Sequence, residues 1–291
     1  MGLVNKVQSA VLFVNLRKKN SNSAAEEICA ELEKRGVKTT VFTFDGRPFS
    51  SPEGKWDIAF SLGGDGTVLY TARVLGGTGT PILPLHFGTI GFLSGVEKNQ
   101  WLTVYEQWVN GTARISSRCM PDISIEREGV SVMRGICLND VVISNSGIAK
   151  LINIKVKLEI ERGEYTDFGC YRCDGLIIST PTGSTAYSMA AGGPILDPEM
   201  DALIINPICP FTLSNRPMVF PSRQNLRVTV EENLRGGILL TIDGQDTFAL
   251  EDGDEVVVSQ SPHYARLVTS GRTSYYSALL GKLLWGGGGI A

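Results

Sequence analysis

Only two histidines, His86 and His263, occur in 291 residues. That scarcity excludes most histidine-built metal sites and leaves little room for a Ser-His-Asp triad. Long apolar runs are missing too, since no segment offers enough uninterrupted apolar residues to cross a bilayer. The opening Met1-Gly2-Leu3-Val4-Asn5-Lys6 has no basic region followed by an apolar stretch of signal length, so a cytoplasmic protein without a membrane partner is expected. Neither sign of charge is in excess: a net charge of −3 gives no broad basic field for a nucleic acid, and small molecules are the expected partners. Six scattered cysteines, Cys29, Cys119, Cys137, Cys170, Cys173 and Cys209, resemble reduced intracellular usage rather than a disulfide framework. Cys170-Tyr-Arg-Cys173 is a single CxxC without a second, read as incidental placement rather than a zinc or redox site. No GxGxxG follows the first strand, against a nicotinamide-dependent oxidoreductase, and the absence of GxxxxGK[ST] excludes a P-loop NTPase.

What is present is ordinary globular composition, 43% hydrophobic and 20% charged, in a chain long enough for two domains. It is organised around Ser61-Leu62-Gly63-Gly64-Asp65-Gly66-Thr67, set between the apolar run Trp56 to Leu62 and an amphipathic run with Val68, Leu69, Ala72 and Leu75 at helical spacing. The glycines therefore occupy a strand-to-helix turn. Gly63, Gly64 and Gly66 let a ligand approach the main chain, and Thr67 is placed to cap a helix whose first N–H groups suit phosphate. A carboxylate in such a cradle repels its ligand unless it holds a metal ion or takes a proton from an attacking hydroxyl. Asp65 therefore points to phosphoryl transfer, with a braced Gly-Asp-Gly turn as the alternative.

Ala10 to Leu16 reads as a strand, and Ser23-Ala24-Ala25-Glu26 has capping-box spacing for a helix closed by Gly36. Val37 to Phe44, Trp56 to Leu62 and Pro81 to Leu85 continue an alternation of strands and helices that predicts a parallel sheet with ligand at its strand C-termini. After Asn110-Gly111 the β-rich runs Asp122 to Glu126, Val132 to Ile143, Ile152 to Ile160, Gly175 to Thr180, Leu226 to Val230, Ile238 to Ile242 and Val256 to Val258 predict a largely antiparallel, sandwich-like domain. The expected division is 1–111, 112–270 and a helical tail, 271–291, whose Leu279, Leu280, Leu283 and Leu284 lie on one face.

Two further stretches carry chemistry. Asp174 through Ser188, DGLIISTPTGSTAYS, runs from a buried strand into a hydroxyl-rich turn that suits sugar and phosphate oxygens or is an ordinary capped loop. Asn139-Asp140 interrupts the apolar pattern Ile136 to Ile143: facing inward the pair needs partners, such as a base edge and ribose hydroxyls, whereas at an edge or bulge it lies in water.

Together these motifs resemble the NAD kinase family, along with Leu213-Ser214-Asn215-Arg216-Pro217, Asp243-Gly244-Gln245 and the tail Lys282-Leu283-Leu284-Trp285-Gly286. The resemblance implies an α/β N-terminal domain with a Rossmann-like, phosphofructokinase-like parallel sheet, a mostly antiparallel β-sandwich-like C-terminal domain with the site between them, and a C-terminal helix packing back on the body. It implies transfer of the terminal phosphoryl group of ATP to the 2′-hydroxyl of the adenosine ribose of NAD, giving NADP and ADP. Mg²⁺ or another divalent cation would accompany ATP, and a homodimer or homotetramer is the implied assembly. Asp65 is then the general base, with Gly66 beside it at the dinucleotide. Asn139, Asp140, Asp174, Thr185, Ala186, Tyr187 and Ser188 are implied NAD contacts, and so is Phe92, although an aromatic in an apolar loop is more often plain core, while Lys150, Arg172 and Gln245 stand where relatives place contacts and where surface or hairpin residues are nearly as natural. Gly63, Gly64, Gly66 and Thr67 would hold phosphate; metal ligands are not assigned. Three positions depart from the family's usage: Asp140 replaces the usual Glu and is one methylene shorter, His86 replaces Asn, and Phe211 replaces His. The rivals are a lipid or sugar kinase sharing the Gly-Asp-Gly turn and a module that senses NAD without phosphorylating it.

Overall fold

The computed structural model describes residues 6–46, 52–88, 90–147, 151–212, 214–231, 237–269 and 271–283. The chain divides into two compact units, Met1–Ser117 with Ala265–Ala291, and Arg118–Tyr264.

In the first unit the apolar runs become the strands Ser9–Asn15, Ile58–Gly63 and Ile82–His86, buried almost throughout. Strands covered on both faces read as continuous rather than alternating hydrophobics. With Lys38–Phe44 outermost, the strand path continues through Ile82–His86 to Tyr264–Thr269 and Arg114–Cys119, and the short Val96–Glu97 pairs with Ile82–His86. The pairings from Lys38–Phe44 through to Tyr264–Thr269 are parallel. The two strands Arg114–Cys119 and Tyr264–Thr269 thus join this sheet from within the compositionally defined 112–270.

Alternate residues of the strands meet different helices, as a period of two requires. Ala10, Leu12 and Val14, with Phe60 and Leu62, pack in one core with Ala24, Ile28 and Leu32 of the helix Ser21–Lys34 and Trp101, Tyr105 and Trp108 of the helix Trp101–Val109. Phe13 instead meets Tyr70 of the helix Asp65–Leu75, with ring centroids 6.0 Å apart. Gly36, at φ +75°, closes the first helix as expected, its N–H donating to the Glu33 carbonyl. The expected capping box does not form: the helix begins earlier, after Asn20 at φ +68°, and the Ser23 hydroxyl donates to the Asn20 carbonyl. The last helix, Arg272–Leu283, buries Ala278 and Leu279 while Leu280 is 49% exposed, because adjacent helical residues point about 100° apart. Leu284 lies outside the described residues.

The second unit is two six-stranded antiparallel sheets sharing one core. One runs Glu164–Cys173, Ile152–Glu161, Leu226–Glu231, Glu255–Ser259, Asp122–Arg127, Val130–Ile136; the other runs Met218–Pro221, Ala202–Ile208, Gly175–Ser179, Asp140–Asn145, Ile238–Ile242, Asp246–Leu250. Ile152, Ile154 and Val156 of the first sheet pack with Leu176, Ile178, Leu203 and Ile205 of the second, giving the expected sandwich. The run Val132 to Ile143 is not one strand, because Cys137, Leu138 and Asn139 separate Val130–Ile136 from Asp140–Asn145. Cys170 and Cys173 share the strand Glu164–Cys173, where an odd spacing sends them to opposite faces, and both are free thiols.

Candidate active site

The glycine turn lies where the sequence places it, between the strand Ile58–Gly63 and the helix Asp65–Leu75. The helix starts earlier than expected. Gly64 is the N-cap residue, no side chain caps the helix, and Thr67 lies inside it. The Thr67 N–H donates to the Gly64 carbonyl at 2.9 Å, and its hydroxyl oxygen accepts from Asn15 Nδ2 at 3.4 Å. A Cβ on Gly63 would sit 2.1 Å from that hydroxyl, so glycine at 63 is what lets Thr67 pack under the turn. Gly66 is exposed at the helix start.

Asp65 is the first residue of the helix, where a negative charge faces the positive end of the helix dipole. Its Oδ2 accepts from the Phe92 N–H at 2.9 Å, and Oδ1 from the N–H groups of Leu93 at 3.2 Å and Ser94 at 2.9 Å and from the Ser94 hydroxyl at 2.8 Å. The segment reaches this close because residue 91 is glycine: a Cβ there would stand 1.9 Å from Asp65 Oδ1. The carboxylate is thus held unevenly, three donors on one oxygen and one on the other. Replacing Ser94 by Ala removes one of the four and leaves Oδ1 of the half-buried carboxylate with two N–H donors. That change is expected to cost about 1 kcal/mol of stability and less than tenfold in turnover, read from thermal melts and steady-state rates.

Phe92 has a second role in the same loop. Its ring lies 6.3 Å from that of Tyr275, and Lys282 Nζ stands 4.7 Å from its centroid, so the last helix packs on the loop that holds Asp65. Sequence reasoning missed Lys18, whose Cε and Nζ lie 3.7 and 3.8 Å from where a Cβ of Gly64 would be. The basic run Arg17-Lys18-Lys19 in the turn after the first strand is the signal that could have found it.

In the second unit Asn139 and Asp140 stand at the beginning of Asp140–Asn145 rather than in the middle of a strand. Asn139 is half-buried and Asp140 is 4% exposed. Burial, then the neighbouring Asp243 charge, pushes the Asp140 carboxyl up to about 7. Beside the pair runs the hydroxyl-rich turn, a 3-10 turn over Gly183–Thr185 followed by the short helix Tyr187–Ala190. Several of its hydroxyls are committed within the fold: Thr180 to the Leu138 carbonyl, Ser184 to the Pro181 carbonyl at 2.6 Å and Thr185 to the Thr182 carbonyl at 3.3 Å. The buried Thr182 hydroxyl has no partner among the described residues. Ser188 is fully buried, held by Asn206 Nδ2 through its carbonyl at 2.9 Å and its hydroxyl at 3.3 Å. Asn206 was invisible as a site residue because its strand reads as plain core. Ala186 is half-buried and Tyr187 exposed, the two members of the turn that present themselves outward.

Asp174 is exposed, joining Glu164–Cys173 to Gly175–Ser179, and Arg172 is exposed with its guanidinium 4.9 Å over the Phe211 ring. Gln245 closes the hairpin between Ile238–Ile242 and Asp246–Leu250: Asp243 and Gly244 have φ of +51° and +64°, and the Gln245 N–H donates to the Ile242 carbonyl. That is the Asp-Gly turn the sequence signals. Lys150 and Leu213 lie outside the described residues. Among the described residues no group of three or more His, Cys, Asp or Glu could hold a metal ion, and no helix is long and apolar enough to cross a membrane.

Residues 3–113 match the model of the ATP-NAD kinase N-terminal domain, and residues 138–270 that of the ATP-NAD kinase C-terminal domain. An NAD kinase of Treponema denticola is 38% identical over 282 residues, covering 97% of this chain and 98% of that protein. The chain belongs to the NAD kinase family. An NAD kinase of Geobacter sulfurreducens is 35% identical over 96% of this chain and 99% of its own length. The fold is that of a yeast NADH kinase complexed with NADH, at a TM-score of 0.82 and 23% identity over 98% of this chain and 90% of that one. It is also that of an Archaeoglobus fulgidus NAD kinase in complex with ATP, at a TM-score of 0.72 and 22% identity over 95% and 98%. As a family member the protein is a phosphotransferase.

Proposed function

We propose that this NAD kinase transfers the terminal phosphoryl group of ATP to the 2′-hydroxyl of the adenosine ribose of NAD, with Asp65 Oδ2 as the general base. The uneven hold on Asp65 carries this reading. Oδ1, with three donors, is an anchor; Oδ2, with one, keeps an electron pair for the ribose proton. A fixed base of this kind typically contributes on the order of 10² to 10⁴ in rate. Phosphoryl transfer otherwise depends on positioning and on cations around the phosphates. Here the helix start at Gly64, Asp65 and Gly66 faces the phosphates with Lys18 beside it. Mg²⁺ or another divalent cation, carried by ATP and water, would neutralise charge on the transferring group. Asn139, Asp140, Asp174, Thr185, Ala186, Tyr187 and Ser188, with Phe92, Lys150, Arg172 and Gln245, form the NAD-binding set of this reading. In it, 1–111 supplies the phosphate cradle, 112–270 the dinucleotide site and 271–291 the returning helix, in a cytoplasmic homodimer or homotetramer.

The test is incubation of the purified protein with NAD, ATP and Mg²⁺, with NADP detected by an NADP-specific dehydrogenase. NADP is expected only when ATP and a divalent cation are both present. A folded sample that binds NAD and makes no NADP would instead be the sensing module; one that does not bind NAD would be a lipid or sugar kinase.

A further inference from the structure

The backbone polar groups of residues 138 to 140 are all taken. The N–H groups of Leu138, Asn139 and Asp140 donate to the carboxylate of Asp243, at 3.0 to 3.1, 2.7 and 3.2 Å. The Leu138 carbonyl accepts from the Thr180 hydroxyl, and the Asn139 carbonyl from the Thr180 N–H at 2.8 Å and the Ser179 hydroxyl at 3.2 Å. The Asp140 carbonyl accepts from the Asp243 N–H at 2.9 Å. Among the described residues, the side chains of Asn139 and Asp140 make no hydrogen bond at all. A polar pair with a fully bonded backbone and idle side chains is shaped for something outside the chain.

Asp243 does most of this fixing and is 6% exposed. It sits in the left-handed region that its hairpin turn requires, which turns its carboxylate back onto residues 138 to 140. It does so at a cost, because two buried carboxyl groups lie side by side, and an ionised Asp243 raises the pKa of Asp140. The three N–H groups converging on Asp243 favour its ionised form over the neutral one.

We propose that Asp243 is a positioning residue, whose carboxylate collects three successive N–H groups so that Asn139 and Asp140 are presented to the adenosine half of the dinucleotide. This rests on the reading of Asn139-Asp140 as NAD contacts. Ribose hydroxyls and the adenine amino group are donors, so the ionised form of Asp140 is the stronger acceptor. The KM for NAD should then fall as pH rises through the Asp140 pKa. Gly175–Ser179 and Ile238–Ile242, the strands flanking Asp140–Asn145, and the turn from Thr180 to Ala186 contain no ionisable carboxylate or base, so Asp243 is the charged neighbour that adds to burial in raising this midpoint.

Two variants separate the contributions. Asp243→Ala removes the acceptor, and the expected result is at least a tenfold rise in KM for NAD and in the calorimetric Kd, with KM for ATP within twofold. Asp243→Asn keeps one oxygen for the three N–H groups and removes the charge. It should recover most of the NAD affinity and move the pH midpoint of the NAD KM to lower pH. If Asp243→Ala does not fold, Asp243→Asn alone decides. An unmoved pH midpoint in Asp243→Asn, or equal rises in the KM for NAD and for ATP in Asp243→Ala, overturns the proposal. A wild-type protein that neither binds NAD nor makes NADP overturns the underlying reading, and this one with it.

Discussion

Asp65→Asn should lower kcat by on the order of 10² to 10⁴ while leaving the KM for NAD within a few fold. Two losses combine in that number. An amide cannot take the ribose proton, and it has one acceptor oxygen where the carboxylate has two, each facing donors from the loop. Whichever way the amide turns, its NH₂ meets an N–H of Phe92 or of Ser94. The Ser94→Ala variant, which loosens the loop and keeps the carboxylate, separates the two effects. Turnover in Asp65→Asn no lower than in Ser94→Ala would remove Asp65 from the base role.

The second large effect is expected at Gly183. A Cβ there would stand 2.2 Å from the Asn139 carbonyl oxygen and 2.6 Å from both the Asn139 carbonyl carbon and the Ser179 hydroxyl. That carbonyl is already fixed by two donors and cannot swing away cheaply. Gly183→Ala is therefore expected to destabilise the fold by about 1–3 kcal/mol through overpacking. It should also raise the KM for NAD at least tenfold, because relief pushes Asn139 out of place. A variant with wild-type melting temperature and NAD affinity would show that the turn and the Asn139-Asp140 segment move independently.

Local signals in the chain were the legible ones. Gly36 and Asp243-Gly244 announce a helix end and a hairpin by backbone chemistry confined to a few residues, and the buried strands of the first sheet announce themselves as unbroken apolar runs. Asp65 was legible as chemistry because a carboxylate among glycines has few reasons to be there. Its fixation was not, since the donors come from residues 92 to 94 and the glycine that admits them is distant in sequence. Thr67 misled for a related reason. A threonine near a helix start looks like a cap, yet the turn begins the helix at Asp65 and folds the threonine underneath. Asn206 and Asp243 were hidden differently, one inside a strand of ordinary core residues and the other behind a turn motif that already explained it.

The strand Tyr264–Thr269 lies between Ile82–His86 and Arg114–Cys119 in the first sheet. Both neighbours leave the ribosome before the whole of 120–263, which at about 5–20 residues per second is a gap of roughly 7 to 30 s. During it the sandwich receives every strand it needs, while the first sheet waits with two open edges of the kind that recruit other chains. Synthesis therefore finishes the middle of the chain before its beginning. A nascent chain released short of residue 264 has every sandwich strand but lacks the strand that joins Ile82–His86 to Arg114–Cys119, so translational stalling in this interval is expected to be costlier than its length suggests.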